Sequence, residues 1–117
     1  MVIELRETTD FSKWLSRLQD PHARDRIKIR LTRLALGLAG DVEPVGEGVS
    51  ELRIAYGPGY RVYFTQRGLN MTLLLAGGDK KSQRRDIKLA LQLARNLREV
   101  YAQDQDATLR RRELPED

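Results

Sequence analysis

The chain has 117 residues, no cysteine, and 21 lysines and arginines against 17 acidic residues, a net charge of +4. This length suits one domain with its own core, and the lack of cysteine excludes disulfides, cysteine nucleophiles and cysteine-based metal sites. The longest uncharged run is too short to cross a membrane, and the charged N-terminal residues do not resemble a signal peptide. We therefore expect a cytoplasmic protein.

The charge is unevenly distributed along the chain. Residues 103–117 hold five acidic residues and three arginines, a net charge of −2, so residues 1–102 carry +6. A basic body suggests a polyanionic partner such as a nucleic acid, although charge alone is equally compatible with a basic domain that binds no polyanion. We expect one domain over residues 1–102 and a disordered polar tail over residues 103–117.

The first third of the chain predicts a short strand near residues 2–5 and two helices. Thr9 or Asp10 can cap the first helix, and Asp20 followed by Pro21 is typical of the start of the second, which runs to about residue 36. Both helices have one-sided apolar stripes, formed by Phe11, Trp14, Leu15 and Leu18 and by Ile27, Leu31, Leu34 and Leu38. Replacing Trp14 with alanine is expected to cost about 3–5 kcal/mol if the side chain is buried.

Three short apolar runs follow a predicted loop over residues 37–49. The runs cover residues 52–55, 60–66 and 71–76, and two tight turn sequences separate them, which predicts a three-stranded antiparallel meander. Because side chains alternate along a strand, one face of this sheet is apolar and the other carries Arg53, Arg61 and Tyr63. The third run is apolar on both faces, which is typical of an internal strand.

The last predicted helix covers about residues 83–101, with Asp79 or Ser82 as its cap. Its apolar arc is wide, so the helix either packs deeply or contacts a partner. We therefore predict an α+β domain of order β-α-α-β-β-β-α. Its sheet has four strands, mostly antiparallel, and is packed by the two N-terminal helices and the C-terminal helix.

Four cations are expected to converge at one edge of this sheet, namely Arg53, Arg61, Lys80 and Lys81. Arginine binds phosphate with two parallel hydrogen bonds and lysine adds a compact charge. Fixed cations lower the barrier to phosphodiester cleavage because the transition state gains negative charge. RNA supplies its own nucleophile in the 2′-hydroxyl, so such a site needs no metal and no cofactor, and clustered cations lower the pKa of a lysine enough for proton transfer. The only histidine, His22, has no second ligand to help it hold a metal.

Several stretches resemble the RelE/ParE toxin superfamily, most closely the HigB-like branch called addiction module killer proteins. The stretches are ELRI, GYRVYF, LLLAGGDKKSQ and the aspartate, isoleucine and alanine at positions 86, 87 and 90. The resemblance covers about residues 1–100. It implies a toxin of a type II toxin–antitoxin module, a metal-independent endoribonuclease that cleaves mRNA on the ribosome. It also implies a helix-turn-helix, HigA-like antitoxin as partner, together with the ribosome and mRNA.

The resemblance also implies roles for individual residues. Arg61, Lys80, Arg53 and Lys81 are the expected catalytic residues, and Tyr56, Tyr60, Tyr63 and Arg84 are the expected RNA-binding residues, the tyrosines through stacking on a base or proton donation. Packing at the sheet edge is an equally good interpretation of each tyrosine. RelE has a lysine where Glu51 stands and a tyrosine near the position of Asp86. A DNA gyrase inhibitor of the ParE type and a non-catalytic nucleic-acid-binding domain are the alternatives, since the fold alone does not fix the function.

Overall fold

The computed structural model describes residues 2–106, and for residues 98–106 it describes the backbone alone. The elements are β1 (Glu4–Glu7), α1 (Thr9–Arg17), α2 (Pro21–Ala35), β2 (Val42–Gly46), β3 (Val49–Ile54), β4 (Tyr60–Arg67), β5 (Met71–Gly78) and α3 (Gln83–Asp106). The strands form one sheet in the order β1-β5-β4-β3-β2. β1 is parallel to β5, and the other neighbours are antiparallel.

The α+β class and the meander are confirmed, but the sheet has five strands rather than four. The additional strand, β2, lies inside the segment predicted as a loop. It is an edge strand that contains Pro44 and is mostly exposed, and the edge is where a sheet tolerates a residue that cannot donate a hydrogen bond. The turn to β3 places Glu47 and Gly48 at φ values of 53° and 81°, as a tight two-residue hairpin requires.

The first face of the sheet is covered by α1 and α2, as predicted. Phe11 from α1 and Ile27 and Leu31 from α2 are buried. They belong to one apolar cluster with sheet residues Leu52, Ile54, Val62, Phe64 and Leu74. The stripes of these two helices therefore cover an apolar sheet face. The exception is Leu38, which was predicted to belong to the stripe of α2 but lies beyond the end of the helix and is 63% exposed.

The second face is covered by α3, which packs through Ala90 and Ala94 against a separate apolar cluster. These two small residues let the helix approach the sheet closely, and both are fully buried. Leu89, Leu91 and Leu93 are partly buried around them, so within the described side chains the wide arc reflects packing of the helix. The predicted polar sheet face is thus an interior surface, and Tyr63 lies in it with no exposed area.

The observed helix ends agree with the predicted ones for α2 and differ from them for α1 and α3. Asp20 caps α2 through its carboxylate, and Pro21 is the first helical residue, as predicted. Thr8 rather than Thr9 or Asp10 caps α1 by accepting a hydrogen bond from the amide of Phe11. Helix α3 continues to Asp106, beyond its predicted end, and the remainder of the predicted tail, residues 107–117, lies outside the described residues. No helix in the described range combines the length and apolar character needed to cross a bilayer.

Trp14 packs on the backbone of β5 at Gly77. A Cβ atom at position 77 would lie 2.2 Å from Cε3 of the indole, so a side chain there and the observed Trp14 position exclude each other. The indole ring also contacts Phe11 and Tyr60, with ring centroids 5.8 and 6.3 Å away. Trp14 is only half-buried, so the full burial on which the expected loss of about 3–5 kcal/mol depended is not met.

We predict that Gly77→Ala destabilises the protein by about 1–3 kcal/mol because the indole has to move. The measurement is the free energy of unfolding in urea, for Gly77→Ala alone and in a Trp14→Leu background. The cost should be smaller by about 1 kcal/mol or more in that background, because the two positions are in contact. An equal cost in both backgrounds would contradict the proposed contact.

Candidate functional site

The carboxylate of Glu51 is buried beneath α3, with 1% of the residue exposed. Its Oε2 accepts hydrogen bonds from the hydroxyl of Tyr63 and from Nε2 of Gln83, each at 2.9 Å. Its Oε1 accepts a hydrogen bond from Nε of Arg53 at 3.1 Å, and Nε of Arg61 lies 3.4 Å from Oε2. One carboxylate thus ties together β3, β4 and the first residue of α3.

These contacts change the proton affinity of both acidic groups in the cluster. Burial by itself raises the pKa of Glu51, but the hydrogen bonds from Gln83, Tyr63 and Arg53 and the charge of Arg61 outweigh it, so this pKa is lowered. Burial and the hydrogen bond to Glu51 raise the pKa of Tyr63. At neutral pH the cluster therefore contains an ionised carboxylate and a neutral phenol.

Arg61 lies in the row of residues that crosses the sheet from Arg53 to Gly78. Arg53 and Arg61 are therefore directly opposite each other on β3 and β4. The Arg61 side chain is 12% exposed, and its Nη1 donates a hydrogen bond to the carbonyl of Gly59 at 3.0 Å. A Cβ atom at Gly59 would lie 3.4 Å from this Nη1 and 3.7 Å from Cβ of Lys80. Arg61 and Lys80 therefore flank the same glycine.

Arg53 lies in an acidic environment at the edge of the sheet. In addition to its bond with Glu51, it has Asp41 at 4.0 Å and Glu43 at 3.9 Å. The hydrogen bond to Glu51 and the neighbouring carboxylates raise its pKa. A phosphate at Arg53 has to compete with three carboxylates, so the structure does not favour the predicted role of Arg53 as a phosphate-binding cation.

Three exposed cations lie where β5 leads into α3, namely Lys80, Lys81 and Arg84. In the part of the chain with described side chains, no hydrogen bond or ion pair involves their charged groups. The neighbouring Arg85 has its Nε 3.6 Å from Oδ1 of Asp86, but 81% of its side chain is exposed. The free positive charge of the site thus comes from this connection rather than from the strands.

The predicted RNA-binding tyrosines have three different environments. Tyr63 is fully buried, so the prediction that its ring stacks on a base is wrong. The hydroxyl of Tyr56 donates a hydrogen bond to Asp20 at 3.1 Å, which raises the pKa of the phenol, and the guanidinium of Arg26 lies 4.9 Å from its ring centroid. Tyr60 is half-buried beside the β5–α3 connection, and burial, followed by the charges of Asp20 and Asp79, raises its pKa.

Asp86 is buried against β5. A Cβ atom at Gly78 would lie 1.7 Å from Oδ2 of this aspartate, and the same oxygen accepts a hydrogen bond from the hydroxyl of Ser82. Asp86 therefore fixes the first turn of α3 to the end of β5. The two successive glycines are the sequence signal from which this close approach could have been predicted.

The cluster around Glu51 is the feature that sequence reasoning missed. Alternation within the strand placed Glu51 on the polar face together with Arg53, and nothing local indicated that a helix covers that face. Gln83 carried no signal in the sequence, because its role depends on where α3 lies.

Among the described residues, no group of three histidine or acidic side chains is arranged to hold a metal ion.

Comparison with known proteins gives one informative relationship. No protein-family model matches the sequence. The chain is 43% identical over 97 residues to an uncharacterized protein of Haemophilus influenzae, a match that covers 83% of this chain and 98% of that protein. The chain belongs to the same family as this Haemophilus protein. That membership brings no activity with it, so the function is inferred from the site.

We predict that Glu51→Gln destabilises the protein by about 3 kcal/mol or more at pH 7, because two arginines lose a buried ionised partner. The matched control is Glu43→Gln, which removes an exposed carboxylate 3.9 Å from Arg53 and should cost less than about 1 kcal/mol. Urea denaturation at pH 7 measures both values. Equal effects of the two substitutions would contradict the central role of Glu51.

The effect of Glu51 should also depend on pH. A carboxylate whose pKa is lowered in the folded state contributes its full stability above its ordinary pKa, near 4.5, and loses it as the pH falls through the lowered value. The difference in free energy of unfolding between the wild type and Glu51→Gln should therefore narrow on acidification below about pH 4.5. A difference that stays constant from neutral to strongly acidic pH would rule out this linkage.

Proposed function

We propose that this protein is the toxin of a type II toxin–antitoxin module, with a RelE-like fold of the HigB-like branch, and that it inhibits translation by ribosome-dependent cleavage of mRNA. The stretches GYRVYF and LLLAGGDKKSQ support the assignment through their resemblance to that family. The single observation that carries the proposal is that Nη1 of Arg61 and Cβ of Lys80 lie 3.4 and 3.7 Å from the point where a Cβ atom at Gly59 would stand. We infer that both cations reach one phosphate bound beside this glycine.

In this mechanism the 2′-hydroxyl of the RNA gives its proton to water and attacks the adjacent phosphorus. The bond to the 5′-oxygen breaks, and a 2′,3′-cyclic phosphate forms. Arg61 binds the equatorial oxygens, where negative charge increases in the transition state. Lys80 donates a proton to the departing 5′-oxygen, and Lys81 adds positive charge beside it. Glu51 does not touch the RNA, because it is buried; it positions the guanidinium of Arg61.

The proposed partners follow from the same assignment. A helix-turn-helix antitoxin of the HigA type would neutralise the toxin by covering the cations of the β5–α3 connection, and the ribosome and mRNA would be its cytoplasmic targets. Co-purification from cells that carry the whole operon tests the antitoxin. Recovery of the protein alone, together with harmless expression in the absence of the neighbouring gene, would contradict the module.

An inhibitor of DNA gyrase is the second candidate, and the environment of Arg53 favours it. The charges of Arg53 and Arg61 are partly compensated by carboxylates, and a protein that binds gyrase without cleaving RNA needs no free arginine on its sheet. Gyrase-dependent DNA breaks without RNA cleavage would favour this candidate.

We predict that Lys80→Ala lowers the single-turnover rate of cleavage of ribosome-bound mRNA by about a hundred- to a thousand-fold. Lys80→Ala is the most direct test because this side chain is exposed and its loss leaves the core intact. Arg61→Lys keeps a charge near Glu51 but loses the planar fork, so its rate should also fall strongly. Arg61→Ala is less informative because it leaves the buried Glu51 without one of its partners.

The matched controls are Lys88→Ala, which removes another exposed lysine from α3, and His22→Ala. Both should cleave at the wild-type rate and inhibit growth as the wild type does. Wild-type cleavage by Lys80→Ala and Arg61→Lys would refute the proposed site.

A further inference from the structure

A shallow pocket of about 510 Å³ opens between α1 and the connection from β5 to α3. Trp14 and Tyr60 form its aromatic wall, and Lys81 and Arg85 form its basic side. Its volume lies within the range of small-molecule sites in proteins. The proposed cleavage mechanism uses neither the aromatic wall nor Arg85.

The aromatic wall is angular and partly accessible. The two ring planes meet at 62°, with centroids 6.3 Å apart. One face of the indole lies on Gly77, yet both residues are only half-buried and both line the pocket. A flat ring that enters here can therefore contact an aromatic surface, and each nucleobase has a face that stacks in this way.

The basic side can hold an anion. Lys81 is exposed, and no partner of its ammonium group lies in the described part of the chain. Asp79 also lines the pocket, but its Oδ1 already accepts the backbone N–H groups of Lys81 and Ser82, at 2.9 and 3.1 Å. Asp79 thus fixes the loop, and its remaining oxygen can accept a hydrogen bond from an amino group of a base.

The pocket adjoins the proposed cleavage site through consecutive residues. Lys80 flanks Gly59 together with Arg61, and the next residue, Lys81, lines the pocket. An RNA strand whose scissile phosphate lies at Arg61 would therefore place a neighbouring nucleotide at the pocket. Packing at the ends of β4 and β5 explains why Trp14 and Tyr60 are aromatic, but it does not explain two cations around the open space beside them.

We propose that this pocket binds one unpaired nucleotide of the RNA, with the base against Trp14 and Tyr60 and a phosphate at Lys81. This inference rests on the proposed function and adds a subsite to it. It assigns the aromatic wall to recognition of the substrate rather than to the chemical step, so loss of the Tyr60 ring should weaken binding before it changes the cleavage rate at saturation.

Trp14 is the only tryptophan of the chain, so tryptophan emission comes from one wall of the pocket. The probe is a single-stranded 2′-O-methyl RNA oligonucleotide, which lacks the nucleophile and is not cleaved, with a terminal dye for anisotropy. We expect a saturable change in Trp14 emission that follows the anisotropy. Tyr60→Leu should weaken binding about ten-fold or more, whereas Tyr60→Phe, which keeps the ring, and Lys88→Ala should bind like the wild type.

The outcomes separate this subsite from the proposed function. Binding by anisotropy with unchanged Trp14 emission, or equal affinity of Tyr60→Leu and wild type, would overturn the subsite and leave the nuclease assignment standing. Cleavage of ribosome-bound mRNA without any binding of the oligonucleotide would also overturn the subsite and leave the nuclease assignment standing. If the wild type neither binds the oligonucleotide nor cleaves ribosome-bound mRNA, both proposals are overturned. Tighter binding of adenosine monophosphate than of the oligonucleotide would identify a free nucleotide as the ligand and overturn the RNA assignment.

Discussion

The buried carboxylate of Glu51 is the constraint on which the rest of this structure depends. An ionised group inside a protein is tolerated only when donors surround it, and Glu51 has donors from β3, β4 and α3. Meeting that requirement brings Nε of Arg61 within 3.4 Å of the carboxylate, buries the hydroxyl of Tyr63 and holds Gln83 at the start of α3. The position of the helix and the position of the proposed active-site arginine are therefore set by the same group.

The end of β5 complements this arrangement with two glycines that face opposite layers. Gly77 makes room for Trp14 of α1, and Gly78 makes room for Asp86 of α3. Side chains that alternate along a strand explain why consecutive residues serve opposite faces. Side chains from both helical layers thus contact the backbone of β5 at these two glycines, immediately before the connection that contains Lys80.

This geometry divides the basic residues into two groups with different physical roles. Arg53 and Arg61 are held by carboxylates, so their charge is compensated and their geometry is fixed. The charged groups of Lys80 and Lys81 extend into solvent without such partners in the described region. A phosphodiester site benefits from both properties, since an oriented guanidinium recognises shape and a free ammonium supplies charge and a proton.

The sequence by itself determined the local elements: the stripe of α1 around Trp14, the start of α2 at Asp20, and the meander, because periodicity and turn residues are encoded within a few positions. Only the tertiary structure decided which polar side chains became interior. Alternation placed Glu51 and Tyr63 on a polar face, and that assignment of faces was right. Whether that face met water or α3 depended on contacts between residues more than thirty positions apart in the sequence, such as the hydrogen bond from Gln83 to Glu51. Burial of that kind has no local signature in the sequence.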